Sequence, residues 1–100
     1  MAWDLKVEAL NANGNSAAWD HVGGMCTCAF VGTFSSGTAK LQFSPDDGSN
    51  FYDVDATNAA LTADGVFDVQ IAACKLRVNL AGASSPDVDV YYQQYDVRYF

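Results

Sequence analysis

Apolar and polar residues alternate with a period of two along most of this chain, and that limits it to antiparallel β-structure. Ala39, Leu41 and Phe43 alternate with Lys40, Gln42 and Ser44, and Tyr52, Val54 and Ala56 with Asp53 and Asp55. Phe67, Val69 and Ile71 alternate with Asp68 and Gln70, Leu76, Val78 and Leu80 with Lys75, Arg77 and Asn79, and Val88, Val90 and Tyr92 with Asp87, Asp89 and Tyr91. Side chains of a strand point to opposite faces in turn, so each run is a strand with one buried and one wet face. A helical period of 3.6 is almost absent. Met25 to Phe34 is apolar nearly throughout, which predicts a more buried strand, bent or bulged at Gly32. Trp3, Leu5 and Val7 alternate with Asp4, Lys6 and Glu8, and Ala17 to Val22 adds another strand.

The punctuation agrees with the pattern. Ser44-Pro45-Asp46-Asp47-Gly48-Ser49-Asn50-Phe51 is a turn with its own mechanism. Pro45 presets φ for the first corner, Gly48 accepts positive φ, and Ser44 and Asp46 offer short acceptors to nearby backbone N–H groups. Further turns fall at Asn13-Gly14, Ser35-Ser36-Gly37, Ala63-Asp64-Gly65 and Gly82 to Pro86. That spacing predicts a single antiparallel β-sandwich of about seven or eight strands, jelly-roll-like in form. One hundred residues suffice for one such domain, 1–100, with an N-terminal strand and loop segment over 1–16 and a C-terminal aromatic segment over 93–100 that could form an arm.

Charge removes several function classes. Twelve acidic residues against five basic ones give a net charge of −7, which disfavours phosphate backbones, so no nucleic acid is expected as a direct partner. No apolar run reaches the roughly 20 residues of a membrane helix. The first residues, Met1 to Lys6, lack the basic and apolar regions of a signal peptide, so no export is expected. Cys26, Cys28 and Cys74 are expected as small buried hydrophobes in a reducing compartment. A zinc site would need a fourth ligand, and the single histidine, His21, is a poor one, so no metal or other cofactor is expected.

Asp53 with Asp55, and Asp87 with Asp89, each put two carboxylates on one strand face. Such pairs serve calcium binding or glycoside hydrolysis, but they also decorate ordinary wet faces. Lys75 and Arg77 are placed to pair with Asp87 and Asp89 across a short hairpin, worth about 0.2–1 kcal/mol each. The serines stand in turns and His21 has no triad spacing about it, so no enzyme is expected. The surplus is aromatic: Tyr91, Tyr92, Tyr95, Tyr99 and Phe100 crowd the C-terminus, with Trp3 and Trp19 near the N-terminus. Exposed aromatics suit protein interfaces or sugar stacking.

The runs Val31-Gly32-Thr33-Phe34, Ala39 to Gly48, Phe51-Tyr52-Asp53-Val54, Leu61 to Gly65, Leu76 to Ala83 and Val88 to Tyr92 carry a resemblance. Over residues 31 to 92 the scheme resembles small β-sandwich virion proteins of tailed bacteriophages. The resemblance implies a non-enzymatic capsid decoration or cement protein, made in the host cytoplasm and located in the virion. Its implied partners are the major capsid protein and copies of itself, in a homo-oligomer. Trp3, Tyr91, Tyr95, Tyr99 and Phe100 are then the expected contact residues. A tail or head-fibre component shares these features, and a carbohydrate-binding module using Trp19 or the tyrosines is the alternative of a different class. The central turn also resembles the Asp-box of sialidases, with Ser44, Asp46 and Gly48 in place but Asn50 and Phe51 for Thr and Trp. That box is a structural turn and implies no activity.

Overall fold

The structure, a computed structural model, describes residues 3–55 and 59–94. The elements are β1 (Asp4–Leu10), β2 (Gly14–Asn15), β3 (Trp19–His21), β4 (Gly24–Thr33), β5 (Thr38–Ser44), β6 (Tyr52–Asp53), β7 (Ala60–Leu61), β8 (Gly65–Ile71), β9 (Cys74–Ala81) and β10 (Asp87–Gln94). They form two antiparallel sheets. The first has the order β1-β10-β4-β8. The second is centred on β9 and β5, with β2 and β3 along the free side of β9 and β6 and β7 along the free side of β5.

The pairing is nested about the Ser44–Phe51 turn. β5 pairs with β6 and β7, β4 with β8, β3 and β2 with β9, and β1 with β10. With each interrupted edge counted as one position, this is an eight-position hairpin rolled into two layers, which is the jelly roll. Rolling up brings β10 beside β4 and β9 beside β5.

Why these residues form these strands follows from the alternation. Leu76, Val78 and Leu80 of β9, Ala39 and Leu41 of β5, Val88 and Val90 of β10, and Cys26, Cys28 and Phe30 of β4 are all buried between the sheets. Each large side chain there contributes about 1.5–3 kcal/mol by leaving water. Phe30 meets Phe67 edge-on, with ring centroids 5.2 Å apart.

Three expectations change. Lys75 and Arg77 do not face Asp87 and Asp89, because the connection after β9 crosses from one sheet to the other. Lys75 instead binds Asp20 at 2.6 Å and approaches Asp47 at 3.8 Å, and Arg77 lies on the Phe51 ring at 4.0 Å. Gly32 is not a bulge, since the β4–β10 register runs unbroken through it. It marks a close approach: its φ is +134°, and a Cβ there would lie 2.1 Å from the Asp87 carbonyl oxygen. Tyr52, paired with Phe43 on the core side of the sheet, is nevertheless 53% exposed, because among the described residues the edge beside β5 holds only the two-residue strands β6 and β7.

Candidate functional site

Among the described residues, three exposed large apolar side chains, Trp3, Leu5 and Val66, gather on the outer face of the first sheet, while Val22 and Tyr52 stand elsewhere. β1 would place Trp3, Leu5 and Val7 on one face if its alternation ran unbroken. It does not. Leu5 sits opposite Tyr91 while Val7 sits opposite Val90, so one extra residue is inserted and the phase flips. Val7 is thereby buried, and Trp3 and Leu5 turn to solvent at 44% and 43% exposure. A second irregularity between Val7 and Leu10 carries Ala9 at a positive φ, and Asp89 Oδ1 accepts the Ala9 N–H at 2.7 Å.

The register then lines up an apolar row across all four strands. Leu5 lies opposite Tyr91, Tyr91 opposite Ala29, and Ala29 opposite Val66, which is 62% exposed. Trp3, Ala29 and Tyr91 line a shallow, almost wholly apolar depression on this row. Around it the outward positions of β10, β4 and β8 carry Asp68, Asp87 and Asp89 and no lysine or arginine. The face is apolar with an acidic rim.

The outer face of the second sheet is built differently. Arg77 Nε donates to Gln42 Oε1 at 2.9 Å, Gln42 Nε2 donates to Asp53 Oδ1 at 2.9 Å, and Lys40 lies 3.7 Å from Asp53. Asn79 donates to Asn15 at 2.8 Å, and the Lys75–Asp20 pair closes the ladder. Lys75 holds the Asp20 carboxyl below its ordinary range by hydrogen bond and charge, and Asp20 raises Lys75 in return. These polar groups satisfy one another, so this face is a solvated surface.

The hairpin turn is bound through two side chains. Ser44 Oγ donates to Asp46 Oδ1 at 2.7 Å and accepts the Gly48 N–H at 2.8 Å. Asp46 accepts the Asn50 N–H at 2.9 Å and its side-chain amide at 2.7 Å. The Asn50 amide, then Ser44, hold the Asp46 carboxyl down at about 2. Asp47 and Gly48 both take positive φ at the tip. The Asp46 carboxylate is thus committed to its own turn.

The interior holds a polar cluster of another kind. His21 Nε2 faces the carbonyls of Gly24 at 3.1 Å and Ile71 at 3.2 Å, so it carries a proton and donates. The Tyr92 hydroxyl lies 2.6 Å from both His21 Nδ1 and Gln94 Oε1, and Gln94 Nε2 donates to the Gly23 carbonyl at 2.8 Å. Burial raises the Tyr92 hydroxyl well above its ordinary pKa. This cluster ties the Val22–Gly23 connection to the end of β10. Among the described residues, the hydrogen bonds of His21 go to Tyr92 and to the carbonyls of Gly24 and Ile71. Cys26 and Cys28 point into the core on the same side, as their spacing predicts, and all three cysteines are free thiols. The hydrogen bond to Cys26 and burial raise the Cys28 thiol strongly, and burial raises Cys74. Among the described residues, no group of three His, Cys, Asp or Glu side chains is placed to hold a metal ion.

Of the expected contact residues, the structure brings Trp3 and Tyr91 together in one depression. Tyr95, Tyr99 and Phe100 lie outside the described residues, as does the rest of the 93–100 segment beyond Gln94. Trp19 is no stacking platform: it is 8% exposed and packs edge-on against Tyr92 at 5.7 Å. Sequence reasoning missed Leu5, Ala29 and Val66. Val66 was open to discovery, since it stands out of phase with Phe67, Val69 and Ile71, whereas the turning of Leu5 depends on a bulge with no residue signature. Against known proteins, no family model matches this chain, and neither a curated protein nor a solved structure matches it.

Proposed function

We propose that this chain is a non-enzymatic structural protein of a tailed-phage virion, a capsid decoration protein that docks on the major capsid protein through the outer face of its first sheet. The observation that carries the reading is the apolar row Leu5–Tyr91–Ala29–Val66 with Trp3 beside it. Exposed aromatic and aliphatic side chains grouped on one face suit a protein interface. Its removal from water supplies roughly 25 cal/mol per Å² of apolar area, and Trp3 and Tyr91 are side chains of the type that dominate interface energetics. The acidic rim favours a partner whose apolar patch is bordered by lysine or arginine. The jelly-roll topology supports the reading only as architecture, since one fold hosts many functions.

Cosedimentation of the purified chain with empty capsids of the phage that encodes it tests the proposal. The wild type pellets at a fixed ratio to the capsid subunit, whereas Leu5→Lys and Trp3→Ala stay in the supernatant with unchanged melting temperatures. A wild-type chain that remains in the supernatant with every maturation state of the shell defeats the reading.

A further inference from the structure

A jelly roll leaves four lateral strand edges, and unpaired edges invite association with other chains. Three of the four are interrupted here. β1 carries two register breaks, the edge beside β9 consists of the short segments β2 and β3, and the edge beside β5 consists of the two-residue strands β6 and β7. The fourth, β8, runs seven residues, Gly65-Val66-Phe67-Asp68-Val69-Gln70-Ile71, with no proline, lysine or arginine. Its register against β4 is continuous from Gly24↔Ile71 to Phe30↔Gly65. In an antiparallel ladder every second residue directs its N–H and C=O away from the existing partner. Among the described residues, no strand pairs with that outer side.

We infer that the free edge of β8 is a strand-addition site for an extended, basic segment of another polypeptide. The core margin beneath it is unfinished: Phe67, Val69 and Ile71 point inward yet are only half-buried, unlike Leu76, Val78 and Leu80 of central β9. An added strand with apolar residues at alternate positions would cover them. On the outer face, Asp68 stands at the middle of the edge, accepting from Thr27 Oγ1 at 2.5 Å, and selects a lysine or arginine opposite it. A second copy fits poorly. Two β8 strands paired antiparallel about their centres set Asp68 against Asp68, and each chain carries −7. Main-chain bonds supply affinity in this mode, and alternate side chains supply selectivity. The site depends on the backbone edge and shares only Val66 with the apolar row, so a substitution at Leu5 separates it from the capsid reading.

The test is a titration of the isotopically labelled full chain with a nine-residue peptide alternating valine and threonine around one central lysine. Amide shifts and slowed hydrogen exchange should be confined to β8, and a peptide with glutamate for the lysine should bind several-fold more weakly. Asp68→Lys should reverse that preference, and Asp68→Asn, which keeps an acceptor for Thr27, should erase it. Leu5→Lys should leave peptide binding unchanged. No β8 shifts, shifts centred on Trp3 and Tyr91, or a peptide preference insensitive to Asp68 overturn the inference. So does a dimer of the chain alone with protected β8 amides, which would assign the edge to a second copy.

Discussion

Ser44→Ala is the most informative single substitution in this chain. Ser44 is 1% exposed and makes two hydrogen bonds, giving one to Asp46 and taking one from the Gly48 N–H. Alanine fits the space but removes both bonds, including the one that the Gly48 N–H makes to the buried Ser44 hydroxyl. At about 0.5–1.5 kcal/mol for each bond, losing the two together costs about 1–3 kcal/mol. For a domain of this size each kcal/mol lowers the melting temperature by about 4–8 °C. Scanning calorimetry reads the shift directly, and urea titration should show a lower midpoint at unchanged slope. Asp46→Ala and the double variant complete a cycle: because the two side chains share a bond, their costs should fall short of additivity. A melting temperature lowered by less than about 2 °C for Ser44→Ala, with additive costs in the cycle, would refute the claim that this pair holds the hairpin.

Gly32→Ala should destabilise by more than the about 1–3 kcal/mol of left-handed strain alone, because the new Cβ meets the Asp87 backbone, and urea denaturation measures the loss. Stability should depend on acid through Asp46, whose folded pKa of about 2 lies below its ordinary 3.8. That contribution is full above the unfolded value and is lost as pH falls toward the folded one, so melting temperature should drop between about pH 4 and 2, and less steeply in Asn50→Ala. Under native conditions a thiol reagent should leave Cys26 and Cys28 untouched and modify Cys74 slowly, with all three reacting in denaturant.

The strands and their faces were legible where a run is buried on one side only. Leu76, Val78 and Leu80, and Val88, Val90 and Tyr92, are inside as their period requires. The Ser44–Phe51 turn was legible because its chemistry is local. What escaped was non-local. The partners of Lys75 and Arg77 depend on the chain changing sheets after β9, which no short-range signal encodes. The exposure of Leu5 depends on an extra residue in β1, which the alternation of Trp3, Leu5 and Val7 does not show. Trp3 and Tyr91 were recognised separately as surplus aromatics, but only the β1–β10 register shows that they share one surface.

The nested pairing orders the route by which the chain reaches its structure. Gln42 finds Asp53 across a short turn, whereas Asp4 must find Tyr92 from almost the other end of the chain. Loop-closure entropy makes each outer pair dependent on the inner ones already formed, and topologies of this kind fold in milliseconds to seconds. Zipping outward from the turn makes the docking of β1 on β10 the last pairing expected. Trp3 and Leu5 arrive beside Tyr91 only at that closing step, so the apolar row comes into being with the finished molecule. On the capsid-docking proposal, a partner that reads this row would take up completed chains in preference to those still folding.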